Sequence, residues 1–183
     1  HLCPHLVGER VQRQAVRLNG ALVAGGSVQA FALAEPPGAA ARVVYLANAH
    51  VYEQAELYSV PLDGSSRPHV LASDAPRVTR LGVALSTGAW PNGHWQIAAD
   101  GEHVLYFTDA DGNGTSELAS VPVRGGPSVR LDEEPGLGGA GPRSALSSSL
   151  GRALFVARAD YRGDEALLSV PLAGGAPTRL NPA

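Results

Sequence analysis

The chain has 183 residues, of which 44% are hydrophobic, and a formal net charge of -3, which is enough apolar chain for one packed domain, or part of a larger one, and argues against wholesale disorder. All 14 basic residues are Arg, and beyond Arg10, Arg13 and Arg17 they are scattered among acids, so no basic stripe exists to neutralise a nucleic-acid backbone. The single cysteine, Cys3, rules out an intramolecular disulfide and a thiolate zinc cluster, and no apolar run approaches the roughly 20 residues of a membrane-spanning helix.

Taken in order, His1 to Asn19 is unpatterned until its end, where Ala15-Val-Arg-Leu-Asn19 matches two later stretches, Ser128-Val-Arg-Leu-Asp132 and Pro177-Thr-Arg-Leu-Asn181. By that match Val16 to Asn19 is expected to be the last strand of a unit whose beginning lies upstream or is degraded in the first residues. Val28 to Leu33 has the β-rich character of a strand, Glu35-Pro-Pro-Gly38 makes a turn, and Arg42 to Ala47 is apolar throughout, as a strand covered on both faces would be. Leu57 to Leu62 and Pro68 to Leu71, joined by Asp63-Gly64, complete four strands. The order then returns. Trp95 to Ala99, the two-residue hairpin signal Asp100-Gly101, His103 to Phe107, Leu118 to Val123 and Val129 to Leu131 form a second set. Ser144 to Ser149, Ala153 to Val156, Leu167 to Leu172 and Thr178 to Leu180 form a third.

The third strand of each set is nearly the same phrase: Glu56-Leu-Tyr-Ser-Val-Pro-Leu-Asp-Gly64, Glu117-Leu-Ala-Ser-Val-Pro-Val-Arg-Gly-Gly126 and Ala166-Leu-Leu-Ser-Val-Pro-Leu-Ala-Gly-Gly175. Their central valines, Val60, Val121 and Val170, are spaced by 61 and 49 residues, and extra residues within Ala72 to His94 account for the longer interval. Four short antiparallel strands at a period near 50 residues predict an all-β fold: a partial β-propeller of about three blades, over 28–71, 95–131 and 144–180. Pro61, Pro122 and Pro171 have no N–H to give to a ladder, so pairing on one side of the third strand is expected to stop or bulge there.

Residues Trp95 to Leu131, with Asp100-Gly101, Tyr106, Asp109 to Asn113, Gly125-Gly126 and Arg130-Leu131, resemble the TolB-like, WD-type propeller repeats. Residues 28–71 and 144–180 match that pattern more loosely. The resemblance implies a six-bladed ring, commonly extracytoplasmic in bacteria, and hence a periplasmic or secreted protein. Three blades do not close a ring, so the remaining blades of a longer protein, or a second copy, are expected to complete it; a cut from a longer protein is the simpler expectation.

Candidate sites lie in what is not repeated. Asp109, Asp111 and Asn113 take positions 1, 3 and 5 of a calcium-loop pattern and Glu117 position 9, although Ser120 stands where the closing glutamate belongs; the plainer reading of the same residues is a hairpin turn. Trp90, His94 and Trp95 describe an aromatic loop suited to a partner; the plainer reading of the same residues is that Trp95 packs between blades and Trp90 caps a surface loop. His1, Cys3 and His5 are zinc-ligand types, but Pro4 opposes the helix that would align them. No G-x-S-x-G elbow surrounds Ser147 to Ser149, and Gly136 to Gly141 lacks the Lys-Ser/Thr of a phosphate loop. The expected function is a non-catalytic module that binds protein, peptide or carbohydrate through loops at one end of the ring, without an obligatory cofactor. The alternative is the propeller domain of a larger enzyme, such as a prolyl oligopeptidase-type serine peptidase.

Overall fold

The computed structural model describes residues 15–50, 56–72, 95–108, 117–132, 144–149, 151–158 and 165–182. Its described residues form three antiparallel sheets of four strands and no helix. The first comprises β1 (Val28–Ala34), β2 (Arg42–Ala47), β3 (Glu56–Pro61) and β4 (His69–Val70). The second comprises β5 (Trp95–Ile97), β6 (His103–Thr108), β7 (Glu117–Pro122) and β8 (Val129–Arg130), and the third β9 (Ser144–Ser149), β10 (Arg152–Arg158), β11 (Glu165–Pro171) and β12 (Thr178–Arg179). Every sheet is a meander whose spatial order is its chain order.

Register gives each residue an equivalent in the other sheets. Val43 pairs with Val60, Val104 with Val121, and Ala153 with Val170, so the three serines of the repeated phrase, Ser59, Ser120 and Ser169, occupy one position. The prolines end the third strand in all three sheets, each opposite the first residue of the second strand: Arg42, His103 or Arg152. Pairing toward the fourth strand stops at Ser59, Ser120 and Ser169, two residues before the missing N–H would matter.

Asp100-Gly101 does not make the expected two-residue hairpin. Ala98 N–H bonds the His103 carbonyl and Gly101 N–H bonds the Ala98 carbonyl, leaving a four-residue loop. The Asp100 carboxylate is the reason: it accepts from the Glu102 and His103 N–H groups and meets His103 Nδ1 at 2.7 Å, satisfying donors that a tighter turn would have paired.

The sheets stack face to face. Side chains alternate across a strand, and in the second sheet both sets are covered. Val104, Tyr106, Ala119 and Val121 pack with Val44, Leu57 and Leu71 of the first sheet. Leu105, Leu118 and Leu131 pack with Ala153, Phe155, Leu168 and Val170 of the third. Continuous apolar strands are therefore required only where both neighbours are present. In β10, Ala153, Phe155 and Ala157 are buried, whereas the alternate residues Leu154 and Val156 are half-buried.

One close approach recurs. At Gly64, Gly125 and Gly174, equivalent turn positions with φ of 69°, 87° and 90°, an added Cβ would lie 2.6 Å from Val16, 3.0 Å from His69 and 2.5 Å from Val129. His69 and Val129 belong to the fourth strands of the first and second sheets. Val16 thus holds, relative to the first sheet, the place of a fourth-strand residue in a preceding sheet. Leu18 follows suit: it packs on Val43, Tyr45 and Val60, as Leu71 packs toward the second sheet and Leu131 toward the third.

Candidate functional site

The most distinctive side-chain arrangement lies on the outer face of the first sheet, between that face and residues 17–22. The register Phe31↔Tyr45↔Tyr58 and Leu33↔Val43↔Val60 runs two rows of side chains across this face. The β2–β3 half is covered by Leu18 and Leu22. The β1 half is not: Phe31 is 69% exposed and Leu33 51%. A groove of about 780 Å³ runs along the covered half, lined by Arg17, Tyr45, His50, Tyr58 and Arg67 among others.

Within it, Tyr45 and Tyr58 stack at 5.2 Å with a 15° interplanar angle. The Tyr58 hydroxyl donates to Glu56 Oε2 at 2.6 Å, and His50 Nδ1 meets the same oxygen at 2.8 Å. Burial, reinforced by this carboxylate, drives the Tyr58 phenol well above its ordinary range, because ionisation would place a second negative charge against Glu56 in a partly desolvated site. Tyr45 is also raised, chiefly by burial, against the opposing hydrogen bond from the Gly20 backbone. The groove so offers an aromatic floor, a carboxylate oriented by two neighbours, and two arginines at its rim.

Of the residues picked out by sequence, Trp95 is fully buried in the core shared by the first two sheets. It is a packing residue, with no ring surface presented on a loop, and its indole N–H finds no acceptor among the described residues. The reason is register: Trp95 opposes Tyr106 on the face that the first sheet covers. Trp90, His94, Asp109, Asp111 and Asn113 lie outside the described residues. Glu117 opens β7 and is buried, with Oε1 3.9 Å from the Arg130 guanidinium, an ion pair inside its own sheet. Among the described residues no group of three or more His, Cys, Asp and Glu side chains is placed to hold a metal ion, and no helix is long and apolar enough to cross a membrane.

Sequence reasoning missed His50, Glu56, Tyr45 and Tyr58. The signal was in the repeat: Tyr58 stands where the other sheets have Ala119 and Leu168, a polar-tipped aromatic in place of purely apolar side chains.

The repeated polar residues, by contrast, are bound up in the sheets. Arg42 Nε donates to Ser59 Oγ at 2.8 Å and Arg152 Nε to Ser169 Oγ at 2.7 Å. In the second sheet His103 replaces the arginine and turns to Asp100, and Ser120 Oγ has no partner among the described residues. No protein-family model and no curated protein matches this sequence.

Proposed function

We propose that this chain is an arc of a β-propeller of the TolB-like kind and works as a non-catalytic interaction module for a protein or peptide partner. The stack of three equivalent four-stranded sheets, with the same turn-to-fourth-strand contact at Gly64, Gly125 and Gly174, supports the propeller reading, since blades in a ring meet in that repeating way. The binding reading rests on one observation: Phe31 and Leu33 lie exposed beside the tyrosine-floored groove. An apolar patch rimmed by polar groups marks an interaction surface, and tyrosines and arginines are the side chains that carry binding energy there.

Site-specific photocrosslinking tests this reading. A photoreactive residue at position 33 is expected to give crosslinks to polypeptide in extracts of the producing cells, well above those from a control at exposed Ala173 on a turn of the third sheet. Equal yields from the two positions would overturn the assignment of this face.

A further inference from the structure

The molecule contains the same sheet-to-sheet interface twice and displays the two halves of a third. The covering half is repeated as Val44, Leu46, Leu57 and Leu71 in the first sheet and Leu105, Phe107, Leu118 and Leu131 in the second. Leu57, Leu71, Leu118 and Leu131 are each no more than 1% exposed. The register-equivalent residues of the third sheet are Leu154, Val156, Leu167 and Leu180. They lie on the face away from the second sheet, and there Leu167 is 40% and Leu180 53% exposed. The receiving half shows the same contrast. Trp95 and Ile97 are opposite Tyr106 and Val104, as Phe31 and Leu33 are opposite Tyr45 and Val43. Trp95 is 0% exposed and Phe31 69%.

A third observation concerns residues 16–19. Their sequence, Val16-Arg-Leu-Asn19, differs at one residue from Thr178-Arg-Leu-Asn181 at the end of the third sheet. They lie where the fourth strand of a preceding sheet would lie, with Val16 against Gly64 and Leu18 in the apolar cluster of the outer face.

Building on the interaction-module reading, we propose that the partner for this face is the third sheet of a second copy of the chain, and that residues 16–19 hold its seat. The incoming Thr178 to Asn181 takes the place of Val16 to Asn19, Leu180 replacing Leu18, while Leu154 and Leu167 cover Phe31 and Leu33. The contact is head-to-tail, so each copy keeps one free half of the interface, and two copies either close into a ring of six sheets or continue as an open chain. Residues 16–19 compete with the incoming strand inside the same molecule and weaken association.

Mass measurement in solution, by light scattering over a range of concentrations, tests this with the 183-residue chain. Leu18→Asp, with Leu18→Ala as the milder version, is expected to tighten self-association by roughly tenfold, the equilibrium equivalent of no longer having to uncover one leucine. In the Leu18→Asp background, Phe31→Asp and Leu167→Asp each return the mass to 18.8 kDa. Mixing those two variants restores a species of twice that mass, because one intact half remains on each. Both substituted residues are exposed, and far-UV circular dichroism checks that the sheets persist. A mass that stays at 18.8 kDa in both Leu18 variants, or an assembly that survives either aspartate or fails to re-form on mixing, overturns the proposal. The readings separate cleanly: crosslinks from position 33 to a different polypeptide by a chain that stays monomeric remove the second copy and leave the interaction module standing. Equal crosslinking at both positions with a monomeric chain removes both.

Discussion

Trp95 and Phe31 hold the same place in successive sheets, each the first-strand aromatic opposite a second-strand tyrosine. One is 0% exposed and the other 69%. The repeat decides what kind of side chain stands at a position, and the neighbouring sheet decides whether it is buried. Comparing the second sheet, covered on both faces, with the outer faces of the first and third therefore separates the energetics of the sheet itself from those of its contacts.

The comparison is broken most severely at Trp95. Trp95→Ala empties a fully buried site and is expected to cost about 3–5 kcal/mol in denaturant unfolding, whereas Phe31→Ala in the monomer stays within about 0.5 kcal/mol. Trp95→Phe, which installs the first sheet's residue, should cost much less than alanine, since the indole N–H it deletes has no acceptor among the described residues. Similar costs for Trp95→Ala and Phe31→Ala would dissolve the contrast. Next in size is the leucine of the third strand: Leu118→Ala is expected to lose about 2–5 kcal/mol and Leu167→Ala a small fraction of that.

A finer version uses the serines. Ser59→Ala and Ser169→Ala each remove the acceptor of an arginine Nε–H and should cost about 1 kcal/mol, while Ser120→Ala should be neutral or stabilising. Thermal melts of the three variants check the ranking, and a Ser120→Ala loss equal to the others would mean that the buried hydroxyl is satisfied. The smallest effect expected is pH dependence at His69. Burial, and then the Arg42 guanidinium 3.5 Å away, hold its ring below the ordinary histidine value. The unfolded chain then binds the proton more readily than the fold, so stability present above the unfolded value is lost as pH falls through it. Melting temperature should fall between about pH 7 and 5, and His69→Asn should flatten that slope.

Much of the architecture was legible in the sequence because repetition signals itself without reference to packing. The L-x-S-V-P phrase marks the third strand, its proline marks the strand's end, and β2, β3, β6, β7, β10 and β11 lie within a residue or two of the apolar runs that announce them. The hairpin at Asp100 was misread because a side chain, not a turn type, settles the backbone bonds there. The candidate site was hardly legible at all. His50, Glu56 and Tyr58 are separated by no diagnostic spacing, and they meet because register places Tyr58 beside Tyr45 and the chain returns past His50. For Trp95 the sequence offered two readings, a loop contact and packing between blades, and the facing of its strand, which puts it opposite Tyr106 in the core shared by the first two sheets, decides for the second.

The fourth strands carry one more consequence. β4, β8 and β12 are each two residues long, and each third strand beside them ends in a proline. A stranger's strand arriving at such a rim finds almost no ladder to extend, which is how natural sheets resist edge-to-edge aggregation. Large apolar side chains stay exposed on the outer faces of the first and third sheets, at Phe31, Leu33, Leu167 and Leu180, while the fourth-strand rims present almost no ladder, so along that edge these sheets resist the strand-to-strand extension that leads to amyloid.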